Sequence, residues 1–233
     1  METLALIDQY ILYFHIFCGF SSLIIFWIPV FTKKGGTAHR KVGMAYVYTM
    51  GGVVISAAIL SVINAIQGGW YMAAFLGFLS IITGHALWNG MAVLSRKRGL
   101  DDSYRRTNNL LDGITAVSGM ALLIIGLATI SKSGSSTVLV IFGILGMMAA
   151  PRLFANLKNP PTESDWLWTH LSGFLTTGIA AHTAFFVFGG ARMMAGIFEG
   201  YWVIIPWIAP TVIGTIALRR LKKKYSKKFA QVS

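Results

Sequence analysis

The sequence predicts an all-α fold: a polytopic membrane protein of seven transmembrane helices, N-terminus outside and C-terminus cytoplasmic. Three observations predict it. Apolar runs of roughly twenty residues recur along the chain, and as a helix each can cross about 30 Å of hydrocarbon. Hydrophobic residues make up 55% of the chain and charged residues only 12%, too little charge to cover a soluble domain, where about a quarter is usual. All but two of the basic residues fall in alternate connections between the runs and in the tail.

The spans are expected at about 9–31, 42–66, 71–94, 110–130, 136–155, 166–189 and 201–218. The first has Glu2 and Asp8 on its amino-terminal flank and ends Ile28-Pro29-Val30-Phe31, so it reads as a permanent helix and not a cleavable signal. Gln67–Trp70 is a tight turn between the second and third. Asn109 is expected to cap the fourth, with Asp112 in its first turn complementing the helix dipole. Ser131–Ser135 is a small polar link to the fifth, which Pro160 and Pro161 terminate, and Ser164 or Asp165 caps the sixth. In the seventh, Pro206, Pro210 and Gly214 fall four apart on one face, which is expected to pack inward in a bent helix. Trp27, Trp70, Tyr71, Trp88, Trp166, Trp168, Tyr201 and Trp202 sit near span ends as interfacial anchors. No linker is long enough to divide the chain, so 1–233 is one domain.

The net charge of +12 is explained by topology before partners. Of the 20 basic residues, all but Lys132 and Arg192 fall in the first, third and fifth connections and the tail. Basic loops stay in the cytoplasm, which sets the orientation. The tail cluster from Arg219 to Lys228 can also attract anionic lipid. No aromatic or helix-turn pattern accompanies the cations, which argues against nucleic acid. The lone Cys18 excludes an intramolecular disulfide and a multi-thiolate zinc site.

Ionisable residues inside a span are the candidates for chemistry. His15 lies in the first span, His85 in the third, and His170 and His182 in the sixth. His15 and His182 come out about 9 Å and about 10 Å below the outer edge, a depth match that suits axial ligands of haem b. His85 and His170 are the second candidates for that cofactor; a twelve-residue step turns His170 about 120° away from His182. His15 with Cys18, three residues on, can offer two ligands to copper or zinc, with Met147 and Met148 or Met193 and Met194 as soft additions. The ordinary alternative for each histidine is a hydrogen bond to a neighbouring helix, and for Cys18 a small apolar filler. His85 with Asn89 and Asp112 marks a polar path. His39, Arg40, Lys41, His170 and Arg152 form a prospective cytoplasmic anion pocket, with phospholipid headgroups as ordinary partners. The last span carries no lysine for a retinal Schiff base, and no G-x-S-x-G elbow, P-loop, H-E-x-x-H or C-x-x-C-H motif is present. Paired charges of an energised transporter core are not apparent in the spans.

The first basic loop, Lys34-Gly35-Gly36-Thr37-Ala38-His39-Arg40-Lys41-Val42-Gly43-Met44-Ala45-Tyr46, contains an H-R-x-x-G-x-x-Y stretch. With His15-Ile16-Phe17-Cys18-Gly19, His170-Leu171-Ser172-Gly173-Phe174 and Trp207-Ile208-Ala209-Pro210, it resembles a family of multi-span membrane proteins of bacteria and fungi known as a domain of unknown function. The resemblance covers most of the chain and implies the fold, not an activity. It implies that His15, His39 and His170 are the family's histidines and that His85 and His182 depart from it.

Three functions are therefore expected candidates. One is a membrane redox protein binding haem b or a metal through intramembrane histidines. The second is a small-solute transporter or channel along the His85–Asn89–Asp112 path. The third is a non-catalytic accessory subunit of a larger membrane complex, or a homo-oligomer. The inner or plasma membrane is the expected location.

Overall fold

The computed structural model describes residues 2–130, 136–189 and 205–230. Helix α1 is Glu2–Phe31, α2 Thr37–Ile66, α3 Trp70–Ala92, α4 Asp102–Thr129, α5 Ser136–Met147, α6 Ala149–Lys158, α7 Trp166–Ala184 and α8 Ile205–Ala230. A 3-10 turn, Val93–Ser95, extends α3, and a π turn, Phe185–Gly189, extends α7. Among the described residues there is no strand.

Six stretches are long and apolar enough to cross a membrane: Thr3–Phe31, Thr37–Ile66, Trp70–Ser95, Asp102–Thr129, Ser136–Lys158 and Trp166–Gly189. The outer face of α1 makes the point by itself. Tyr10, Phe17, Ile24 and Phe31, seven apart, are 69–80% exposed, a stripe that water would not tolerate at this length. The chain is built as an integral membrane protein. The seventh expected span is not among the six. Its helix α8 runs on through the basic tail to Ala230, because Lys and Arg are good helix formers; its expected beginning, Tyr201 and Trp202, lies outside the described residues.

Several boundaries differ from expectation for identifiable reasons. Helix α4 starts at Asp102, not 110, because the Asp101 carboxylate accepts the Tyr104 N–H at 2.7 Å and caps it. Asn109 is thus in the second turn and caps nothing. The expected fifth span is two helices. Pro151 has no N–H for the Met147 carbonyl, and the chain breaks at Met148, three residues before it. Asp165 caps α7 as expected, accepting from the Trp168 N–H at 3.2 Å.

Helices α1, α2, α3 and α7 form a group in which α2 and α7 meet across the middle. The Tyr46 and Thr177 hydroxyls hydrogen-bond at 2.9 Å, with Tyr46 2% exposed. Helices α4, α5 and α6 pack on the other side of α3, and α8 packs on α7. Lipid supplies no hydrophobic drive between helices, so close packing and interhelical hydrogen bonds must hold them. At the α4–α5 crossing a Cβ on Gly119 would stand 2.7 Å from the Gly146 Cα, and at α3–α7 a Cβ on Gly173 would stand 2.8 Å from the Gly90 Cα. Phe75, Phe78, Leu122 and Leu139 fill the space between α3, α4 and α5. On α8, Pro206 and Gly214 are buried, with Gly214 against Ile179 of α7, so the small-residue face turns inward as expected.

Candidate functional site

Tyr104, Asn108, Asp112 and Thr115 share one face of α4, four, four and three residues apart. That face meets His85 and Asn89 on α3 and Arg152 on α6. The Asp112 carboxylate is 2% exposed. Its Oδ1 accepts from Arg152 Nη2 at 2.9 Å and its Oδ2 from Asn108 Nδ2 at 3.0 Å. The same amide turns its Oδ1 to His85 Nε2 at 3.4 Å, and His85 Nδ1 lies 3.3 Å from the Thr115 hydroxyl. One turn toward the basic loops, the Tyr104 hydroxyl donates to Asn89 Oδ1, and Trp88 stacks on the Tyr104 ring at 5.3 Å. A continuous polar chain thus runs from Arg152 to His85 between two spans.

Four residues singled out in the sequence, His85, Asn89, Asp112 and Arg152, come together here. Asp112 is not in a first turn complementing a dipole, because α4 began earlier; it is an ion-paired acid between helices. A charged pair does exist within the spans, contrary to expectation. Arg152 is accordingly absent from the anion pocket expected with His39. Asn108, Thr115 and Tyr104 were missed, although their spacing with Asp112 is the one-face spacing of a helix.

Beyond His85, toward the end of the bundle away from the basic loops, a cleft of about 970 Å³ opens between α3, α4 and α5. Gly77, Phe78, Ile81, Ser118, Leu122 and Ser136 are among its lining residues. Ile81 is one turn from His85 and Ser118 one turn from Thr115, so the cleft and the polar chain nearly meet.

The remaining candidates are dispersed. His15 Nδ1 is 2.9 Å from the Ser56 hydroxyl on α2, and Cys18 is buried against Gly52 of the same helix. His182 Nδ1–H donates to the Gly178 carbonyl at 2.7 Å, and its Nε2 accepts from the Trp27 indole at 3.2 Å. Trp27 lies twelve residues, about 18 Å, along α1 from His15, so the depth match between His15 and His182 does not bring the two rings together. No group of three or more His, Cys, Asp or Glu side chains converges among the described residues; Met193 and Met194 lie outside them.

At the basic-loop end, His39 and His170 do meet, their ring centres 6.4 Å apart. Lys34 Nζ donates to the Pro29 and Val30 carbonyls, 2.6 Å each, and closes the C-terminus of α1. Burial holds the Lys34 ammonium below the usual lysine range, and nearby Lys224 adds to this. Arg40 is exposed. At the start of α4, the Tyr104 N–H, then Arg96, hold the Asp101 carboxyl below the usual carboxylate range. No family model matches this chain, and neither a curated protein nor a solved structure is significantly similar to it.

Proposed function

We propose that this protein is a transporter of a small solute, controlled from the cytoplasmic side by the Asp112–Arg152 pair. The observation that carries the reading is the acid itself. A carboxylate 2% exposed between spans, held by an arginine from a third helix, is an expensive feature whose retention needs a use. Neutralising Asp112, by a proton or by a competing cation, releases Arg152 and with it the tie between α4 and α6. Helix α6 is short and separated from α5 at Met148, so it can shift without dragging the rest of the bundle. The cleft on the far side of His85 gives a solute a place to wait, and its mostly apolar lining suits a small, weakly polar molecule.

In this reading, 205–218 of α8 is the seventh crossing and the basic loops and tail lie in the cytoplasm, against anionic lipid of an inner or plasma membrane. The test uses the full chain in liposomes with an imposed pH gradient, a trapped pH dye, and a panel of small monocarboxylates, amines and alcohols. At least one class is expected to move with a proton signal, and Asp112→Asn is expected to reduce that flux at least tenfold. Wild-type flux no greater than that of empty liposomes across the panel would sink the proposal, as would flux indifferent to Asp112→Asn in a folded variant.

A further inference from the structure

Along α3 the cleft beyond His85 runs from Trp70 to Ile81, and along α4 from Thr129 to Ser118. Either way that is about 17 Å of helix, more than half of a hydrocarbon core about 30 Å thick. Trp70 and Ile125 line the cleft and are exposed on the bundle surface, so it opens sideways into the space that lipid fills. A volume of about 970 Å³ over that length is wider than one straight alkyl chain occupies, and is of the size that takes a whole drug-sized molecule.

The lining is uncharged and short of protons. None of the described residues that line it carries a charge. At the end nearest His85, the Ser118 hydroxyl donates to the Thr115 carbonyl at 3.1 Å. At the far end, the Thr129 and Ser136 hydroxyls stand 2.8 Å apart. Thr129 also reaches the Ile125 carbonyl at 2.7 Å, and Ser136 the Thr129 carbonyl at 3.0 Å. Those contacts outnumber the two protons available, so the pair can accept from a ligand but has no proton to give. The Trp70 indole, a donor only, lies at the same end of the cleft.

A carboxylate there would meet lone pairs and no cation, and an ammonium would be buried with no counter-charge. A hydroxyl suits both partners, since it donates to the Thr129–Ser136 pair and accepts from an indole. We propose that the cleft binds an uncharged isoprenoid alcohol drawn from the membrane. Its hydroxyl sits at the Thr129–Ser136 pair, and its branched hydrocarbon body lies between α3 and α4 toward Ile81. The proposal rests on the transport reading for the cleft as the solute's place, and it singles out one class of solute.

Full-length protein in phosphatidylcholine nanodiscs is photolabelled with a diazirine analogue of farnesol, and the adducts are mapped by mass spectrometry. The medium is held at about pH 8, where a carboxylic acid is ionised and an alkylamine protonated. Saturable labelling at one site per chain is expected within 70–81 and 118–129. Farnesol should compete for it at least tenfold better than farnesoic acid, farnesylamine, dodecan-1-ol or the parent hydrocarbon farnesane. Thr129→Val with Ser136→Ala should keep the labelling but erase the advantage of farnesol over farnesane, which a merely structural pair would not do. Should the double variant not fold, Thr129→Val alone should narrow that advantage several-fold. Ala121→Trp, at an exposed lining position, should block labelling. Labelling that does not saturate, or that added phospholipid competes away, makes the cleft a seat for bilayer lipid and overturns the proposal. So does farnesoic acid or farnesylamine competing as well as farnesol, or a preference for the alcohol that survives the substitutions in a folded variant. Binding is read with no gradient imposed. A chain that binds farnesol and moves no solute therefore overturns the transport reading alone, and a chain that moves a solute but does not bind farnesol overturns this proposal alone.

Discussion

Two polar groups sit toward the basic-loop end of this bundle, and they are satisfied to different degrees. Around Asp112 both carboxylate oxygens have donors and both nitrogens of His85 have neighbours within hydrogen-bond reach. Around His39 and His170 each ring has one nitrogen bound to a backbone carbonyl and one open. A closed set of hydrogen bonds is suited to holding helices until something breaks it; an open pair of lone pairs is suited to taking a ligand. The difference teaches that buried histidines in one chain are not one population, and that the free nitrogen is what separates them.

The largest effect should come from driving the two groups apart mechanically. A side chain at Gly173 would press within 2.6 Å of the Ala86 carbonyl, so Gly173→Leu should lower stability by about 3 kcal/mol. It should also carry His170 away from Gly90 while sparing the α4–α6 tie. Thermal unfolding in detergent checks the first and the imidazole NMR signals of His170 check the second, and an unchanged His170 environment would break the comparison. Asp112→Asn comes next, at about 2 kcal/mol for a hydrogen-bonded charge lost from a buried position. Arg152 limits the loss, because its side chain is 65% exposed and can turn to water or headgroups. Flux should fall and the His170 imidazole signals should stay in place, and a change in both would erase the distinction. Tyr46→Phe removes the α2–α7 hydroxyl bond at about 1 kcal/mol. It should shift the neighbouring His170 imidazole signals modestly and leave flux unchanged.

The smallest effect is one of acidity at the entrance to α4. The Asp101 carboxyl titrates lower in the folded chain than in the unfolded one. Its capping contribution is therefore complete above the ordinary carboxylate range and is lost as pH falls through the depressed value. The exchange protection of the Tyr104 amide, relative to its intrinsic rate, should fall as pH drops below the ordinary carboxylate range. In Asp101→Asn, which still caps but does not titrate, that pH dependence should vanish.

Hydropathy made the six apolar helices legible, since a span must be apolar along its whole length. The start of α4 was not, because Asp-Ser-Tyr-Arg-Arg-Thr-Asn-Asn looks like a loop unless Asp101 is recognised as a cap. Once α4 begins at Asp102, the spacing of Tyr104, Asn108, Asp112 and Thr115 becomes a face, and three of the missed site residues follow from it. The depth match of His15 with His182 failed for a different reason. Counting from a shared edge ignores that α1 starts at Glu2, well before position 9, and that an indole can span the gap from Trp27. The meeting of His39 with His170 depends on how α2 and α7 cross, which no local pattern encodes.

Helix α8 has a mechanical consequence. From Leu218 to Ala230 it extends about 18 Å beyond its apolar part as one rod. Lys222 near its middle stands 4.1 Å over the Trp168 ring and 4.0 Å from the Asp165 carboxylate that caps α7. The tail is therefore a lever whose fulcrum is the first turn of α7, with His170 one turn away. A torque applied to the tail by any surface it rests on reaches that turn before it reaches anything else in the bundle.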